Sequence, residues 1–136
     1  MVVGMTGSRD GLSSKQKTLC KEFLETLKAA EFHHGDCVGA DAKTHKIARE
    51  LGIWIVIHPP EKNELRAFCE GDESRKPKGY LARNRDIVHD SEVMLGFPKQ
   101  EQQQSKGGTW YTIKYAKKQG KKLYIIYPSG NVEEIN

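Results

Sequence analysis

Short apolar runs alternate along this chain with segments whose apolar residues recur at helical spacing. The clearest run, at residues 53–57, is continuous and rich in β-branched side chains, which predicts a strand buried on both faces. Similar runs occupy residues 2–5, 31–34, 92–97 and 123–127. Because repeated strand–helix–strand order produces a parallel sheet with helices on both faces, we expect a three-layer α/β sandwich. Its mainly parallel sheet should have five strands, one for each run, or slightly more.

Helices are predicted between these strands. Ser13 and Ser14 are suitable N-cap residues for the first, and Asp41 caps the second or lies just inside it. The other two helices are predicted at residues 80–88 and 109–118.

The stretch at residues 61–78 is the least regular part of the chain. It is polar and has no firm period, so it is expected to cross the surface, with a short helix near residues 65–68. The residues after Gly130 are expected to add a short edge strand or to fray.

Length and composition indicate one domain spanning residues 1–136. No apolar run approaches the roughly 18 residues that a transmembrane helix needs, so no membrane partner is expected. The three cysteines, Cys20, Cys37 and Cys69, are odd in number and widely spaced, which favours free thiols in the cytoplasm. A net charge of +4 suits an anionic ligand but is modest for a dedicated nucleic-acid-binding protein. Assembly into a homo-oligomer stays open.

The segment Gly107-Gly108-Thr109 falls between a predicted strand and a predicted helix. The first turn of a helix carries unpaired N–H donors and the positive end of the helix dipole. Glycines allow a phosphate to approach this backbone closely. The chain is therefore predicted to bind a phosphorylated ligand here, either a nucleotide or a molecule derived from one.

Three other segments are expected at the same rim, because ligands of parallel sheets bind at the carboxyl ends of the strands. They are residues 6–9, residues 35–41 and part of residues 58–85. Arg9 is suited to grip a phosphate through its guanidinium. Asp41 is suited either to cap its helix or to contact a ribose hydroxyl.

The rim motifs follow one another over nearly the whole chain. In order they are Thr6-Gly7-Ser8-Arg9, His34-Gly35, Gly39-Ala40-Asp41, Arg83-Asn84 and Gly107-Gly108-Thr109. The series resembles the SLOG superfamily, which includes the cytokinin-activating LOG proteins and the DNA-processing protein A family. The resemblance implies a Rossmann-like nucleotide-binding fold.

It also implies a role for each motif. One ligand-binding loop would contain Gly7, Ser8 and Arg9, and a second would contain Gly35, Gly39, Ala40 and Asp41. Arg83 and Asn84 would contact the ligand, while Gly107, Gly108 and Thr109 would hold its phosphate.

One departure bears on catalysis. LOG-type N-glycosidases resemble the pattern Pro-Gly-Gly-x-Gly-Thr-x-x-Glu, whose glutamate is catalytic. In this chain the loop is shorter and has no proline, and Thr112 occupies the glutamate position. The remaining candidate carboxylates are Asp41, Asp36 and Glu92, so a catalytic residue is not assigned. The pattern favours a protein that binds or senses its ligand.

Two alternative functions stay open. An enzyme that cleaves the N-glycosidic bond of a nucleoside 5′-monophosphate would need a general acid or base beside an oxocarbenium-like centre. A single-stranded nucleic-acid-binding module would need a basic track with stacking aromatic rings. The basic side could come from Arg75, Lys76, Lys78, Arg83 and Arg85, with Tyr80 as the stacking ring.

The histidines do not predict a metal site. His33 and His34 are adjacent in a predicted strand and therefore face opposite sides of the sheet. Together with Cys37 and His58 they form no recognised zinc spacing. Neither a metal nor a resident cofactor is expected.

Overall fold

The computed structural model describes residues 1–136 as four helices packed on one seven-stranded sheet. The strands are β1 (Val2–Gly7), β2 (Glu31–His34), β3 (Trp54–Ile57), β4 (Glu73–Ser74), β5 (Val93–Phe97), β6 (Lys122–Ile126) and β7 (Val132–Ile135). The helices are α1 (Ser14–Thr26), α2 (Ala40–Glu50), α3 (Tyr80–Asp90) and α4 (Gly108–Lys118). None of the four has the length and apolar character needed to cross a membrane.

The sheet has the strand order β4-β3-β2-β1-β5-β6-β7. All neighbouring strands are parallel except β6 and β7, which are antiparallel. From β1 the chain builds outward through β2, β3 and β4, and it then returns to the other side of β1 to form β5. In sheets of this kind a crevice opens at the reversal, outside the carboxyl ends of the two central strands.

The helices form two layers, one on each face of the sheet. One core cluster joins α1 and α2 to the sheet and contains Leu24, Ala48, Phe32 and Phe97, all at most 1% exposed. The other joins α3 and α4 to the opposite face and is centred on Trp110. The predicted α/β class with a mainly parallel sheet is confirmed.

The structure corrects two details of the sequence prediction and adds one strand. The sheet has seven strands: β7 is the short edge strand expected near the end of the chain, whereas β4, at the other edge, was not predicted. Residues 65–68 form no helix; they lie in a loop in which Phe68 has a φ of 56°. Trp54, the first residue of β3, is 50% exposed although the rest of its strand is buried.

The start of α1 is fixed to the far half of the sheet by Gln16. Ser13, one of the two predicted candidates, is the N-cap, and it forms a reciprocal capping box with Gln16. The Gln16 side-chain amide is 2% exposed, and its nitrogen donates to the carbonyl oxygens of Pro98 and Ile126 at 2.8 Å each. This side chain therefore satisfies backbone groups just beyond β5 and at the end of β6.

Replacing this amide tests the bridge. Gln16→Met keeps the side-chain length but leaves two buried carbonyls and the Ser13 N–H without partners. Because each orphaned buried group costs about 1–3 kcal/mol, the two carbonyls alone should lower the free energy of unfolding by about 2–6 kcal/mol. Urea denaturation measures this change. The exposed neighbour Lys17→Met should change the value by less than about 0.5 kcal/mol, and a similarly small change for Gln16→Met would contradict the bridge.

Candidate functional site

A cleft of about 360 Å³ opens at the carboxyl edge of the sheet, at the reversal between β1 and β5. Its walls come from four parts of the chain. They are the β1–α1 loop, the β2–α2 loop, the first turns of α3, and the β5–α4 loop with the start of α4. The sequence predicted that these segments share one rim, and the strand order explains why they meet.

The N-terminus of α4 forms one wall of the cleft. Its N-cap is Gly107, whose φ of 109° lies in the left-handed region that favours glycine, and no side chain caps the helix. The first helical hydrogen bond is donated by Tyr111 to the Gly107 carbonyl. The N–H groups of Gly108, Thr109 and Trp110 therefore have no acceptor within the protein. A Cβ added to Gly108 would meet no atom within 4 Å, so the backbone is open at this point.

Two cations beside the cleft have no partner. The Arg9 side chain is exposed and makes no hydrogen bond or ion pair; its guanidinium carbon lies 5.3 Å from the centre of the Tyr80 ring. Lys106 is also exposed and unpaired. Lys99, in contrast, forms an ion pair with Asp10 at 3.0 Å. The free cations and the free N-terminus of α4 make the cleft electropositive.

Arg83 forms the floor of the cleft and is only 5% exposed. Its guanidinium donates to the carbonyls of Gly35 and His58, to the Asn84 side chain and, more weakly, to Cys37 Sγ. All four acceptors are neutral, so no hydrogen-bonded carboxylate compensates the buried positive charge. A Cβ on Gly35 would overlap this guanidinium, which explains why glycine occupies that position.

Asp41 is the acidic group on the inner side of the cleft and is 8% exposed. One of its carboxylate oxygens accepts the Cys37 N–H at 3.1 Å. Burial raises the pKa of Asp41 to about 6, against the opposing influence of Arg83 and of backbone N–H groups. The carboxyl thus changes charge around pH 6, which suits a group that transfers protons.

Most residues of the predicted site lie together. Those that line the cleft are Gly7, Ser8, Arg9, Gly35, Asp41, Arg83, Asn84, Gly107, Gly108 and Thr109. Gly39 and Ala40 do not line it. Gly39 has a φ of 90° and packs against the Arg9 carbonyl, while the Ala40 N–H donates to Ser8 at 2.8 Å. These two residues hold the β1–α1 loop in place from behind.

The other candidate carboxylates lie outside the cleft. Asp36 is fully buried, and its side chain accepts hydrogen bonds from Arg66 and from the Cys69 N–H, so it fixes the 61–78 segment to the sheet. Glu92 accepts the Val2 N–H at the opposite edge of the sheet. Thr112 is buried and donates to the Gly108 carbonyl inside α4.

Some cleft residues had no signal in the sequence. Lys99 and Gln100 fall in a glutamine-rich loop, and nothing in their spacing distinguishes them from solvated residues. Tyr80 was proposed only as a stacking residue for nucleic acid. In the structure its ring centre lies 5.3 Å from the guanidinium carbon of Arg9 and 5.5 Å from that of Arg83.

Comparisons with known proteins support the fold. No family model and no curated protein sequence matches this chain. Among solved structures, the molybdenum cofactor binding protein from the phototrophic bacterium Rippkaea orientalis superimposes with a TM-score of 0.71 at 16% identity, over 93% of this chain and 76% of that protein. The X-ray structure of the structural-genomics target TM1055 superimposes with a TM-score of 0.63 at 18% identity, over 90% of this chain and 71% of that protein. These likenesses establish a Rossmann-like fold.

The buried carboxyl gives a testable pH dependence. The folded-state pKa of Asp41, about 6, exceeds the ordinary value of 3.8, so the folded protein holds this proton more tightly than the unfolded chain. As the pH rises from about 4 to about 6, the free energy of unfolding should therefore fall relative to that of Asp41→Asn, by about 3 kcal/mol in total. Urea denaturation of both proteins across this range measures the difference, and a difference that is constant with pH would contradict the assignment.

Proposed function

We propose that this protein binds a nucleotide, or a phosphorylated molecule derived from one, with the phosphate at the N-terminus of α4. We also propose that it belongs to the SLOG superfamily, on the motif series of its rim. The observation that carries the proposal is the set of three free N–H groups at Gly108, Thr109 and Trp110, which open into a cleft with unneutralised cations.

The electrostatics of the cleft favour an anion. The N–H groups and the α4 dipole supply fixed partial positive charge, and Arg9 can add a charge-assisted, bidentate contact. The buried Arg83 charge lacks a bonded counter-ion, so a bound anion would also lower the cost of its burial.

The remaining groups suit the rest of a nucleotide. A volume of about 360 Å³ is at the lower end of the range for small-molecule sites. The Tyr80 ring offers an aromatic surface against which a base can stack, and Asp41 can accept a hydrogen bond from a ribose hydroxyl. The structural neighbour that binds the molybdenum cofactor also supports a small molecule as the ligand of a protein with this fold.

Nucleotide N-glycosidase activity is the second candidate. Asp41 is the carboxyl on the inner side of the cleft, and its pKa of about 6 suits a general acid or base. Against this activity, Thr112 lies at the glutamate position of the LOG pattern and is turned into its own helix. The structure therefore favours binding without hydrolysis.

Charge placed at Gly108 tests the phosphate site. Gly108→Glu adds a carboxylate at the first turn of α4, where it favours the helix but repels an anion. Gly108→Gln adds a side chain of the same size without the charge. We expect the glutamate variant to bind nucleoside 5′-monophosphates at least about tenfold more weakly than the glutamine variant, with no loss of thermal stability. Lys118→Gln, a remote variant with the same change in net charge, controls for long-range electrostatics.

The ligands used in calorimetry separate the alternatives. They are the four common nucleoside 5′-monophosphates, the matching nucleosides, ADP-ribose, and a single-stranded oligonucleotide across a salt series. Equal affinity of the glutamate and glutamine variants would overturn the phosphate site. Free base found by chromatography after incubation would favour the glycosidase. Oligonucleotide binding with a log–log salt slope of about −0.7 per phosphate, without mononucleotide binding, would favour nucleic acid.

A further inference from the structure

Two histidine pairs lie on opposite faces of β2, outside the walls of the cleft. His33 contacts His58, with 2.9 Å between His33 Nδ1 and His58 Nε2. On the other face, His34 contacts His45, with 2.9 Å between His34 Nε2 and His45 Nδ1. The sequence predicted that His33 and His34 face opposite sides of the sheet. It did not indicate that each contacts another histidine from a distant segment.

Each pair has a third residue that could complete a metal site. Asp90, the last residue of α3, lies beside the first pair, with 3.7 Å between its carboxylate oxygen and His58 Nε2. Cys69 lies beside the second pair, and in both groups the three ligand atoms are within 4.8 Å of one another. Ligand atoms of a tetrahedral zinc ion lie about 3.3 Å apart, given bonds of about 2.0–2.1 Å.

Hydrogen bonds to the outer ring nitrogens distinguish the two groups. Glu31 Oε1 lies 3.0 Å from His33 Nε2 and accepts a hydrogen bond from its N–H group. The lone pair of the neutral ring is therefore on His33 Nδ1, which is directed at His58. A carboxylate on the outer nitrogen of a histidine is the arrangement that orients and strengthens histidine ligands of metals. His33 is therefore held in the tautomer that a metal requires.

His34 is held in the opposite tautomer. Its Nδ1 accepts the buried N–H of Asp36 at 2.9 Å, so the proton of the neutral ring is on Nε2, the atom that faces His45. His34 Nε2 can bind a metal only if the neutral ring gives up its one N–H proton, or if that proton moves to Nδ1 and the Asp36 N–H loses its hydrogen bond. The His34 group is thus a hydrogen-bonded pair.

We propose that His33, His58 and Asp90 bind a divalent first-row metal ion such as Zn²⁺. The donors are His33 Nδ1, His58 Nε2 and one Asp90 oxygen, and a water molecule takes the fourth position. On binding, the proton of His58 moves from Nε2 to Nδ1, which makes no hydrogen bond within the protein. Imidazole and carboxylate donors in this combination suit zinc.

Arg75 competes with the metal for Asp90. Its guanidinium lies 3.5 Å from the same Asp90 oxygen, and it also forms an ion pair with Glu73. The Arg75 side chain is 44% exposed, so it can move into solvent when a cation takes its place. Removing its charge should therefore tighten metal binding.

Zinc calorimetry on untagged protein freed of metal with a chelator tests the site. We expect one Zn²⁺ per chain with a Kd of about 10 µM or tighter. Asp90→Asn should weaken binding at least about tenfold, and Arg75→Gln should strengthen it several-fold. Both residues are more than one-third exposed, so both variants should fold. His45→Gln, which disrupts the other pair, should leave the affinity unchanged.

Cobalt absorption provides an independent readout of the ligands. Co²⁺ bound by nitrogen and oxygen donors should show d–d bands without the thiolate charge-transfer band that Cys69 would produce. Absence of saturable Zn²⁺ binding would overturn the proposal. Binding lost in His45→Gln but retained in Asp90→Asn, or a thiolate band with cobalt, would also overturn it.

Discussion

The candidate site depends on one buried guanidinium. Arg83 projects from α3 under the carboxyl edge of the sheet, and it binds the carbonyl of Gly35 after β2 and that of His58 after β3. It thereby joins two loops and a helix that are far apart in sequence. Because all its acceptors are neutral, the hydrogen bonds that organise the cleft bring no carboxylate to the positive charge of Arg83.

The reversal of strand order brings a second positive feature, the N-terminus of α4, to the same cleft as Arg83. The chain leaves β1 toward α1 and leaves β5 toward α4, so the two connections diverge and the cleft lies between them. The α4 amides and Arg9 both line this cleft. Asp41 is the acidic group on the inner side of the cleft; burial raises the pKa of its carboxyl to about 6, and Arg83 acts in the opposite direction.

The fold was predictable from the sequence because its strands and helices follow strong local patterns. The 31–34 strand was predicted residue for residue, and the N-cap of α1 was narrowed to Ser13 or Ser14, of which Ser13 is the cap. Contacts set by tertiary packing were not predictable in this way. The two-residue β4 exists only because it pairs with β3, and no local pattern marks Glu73 and Ser74 as a strand.

The same distinction applies to the site. The rim segments could be located because parallel topology brings strand ends together, whereas the direction of each side chain could not be inferred. Asp36 and Asp41 lie in one short stretch, yet only Asp41 enters the cleft, while Asp36 turns toward Arg66. The meeting of His33 with His58 and Asp90 likewise depends on distances across the sheet, which spacing along the chain does not encode.

The most direct measurement of the central claim is an NMR titration of ¹⁵N-labelled protein with nucleoside 5′-monophosphates, with the matching nucleosides as the uncharged reference. If the phosphate is held by the start of α4, the backbone amides of Gly108, Thr109 and Trp110 should show the largest phosphate-dependent shifts. The Nε resonance of Arg83, whose side chain forms the cleft floor, should shift with them. Saturable binding that leaves these four signals unmoved would contradict the account.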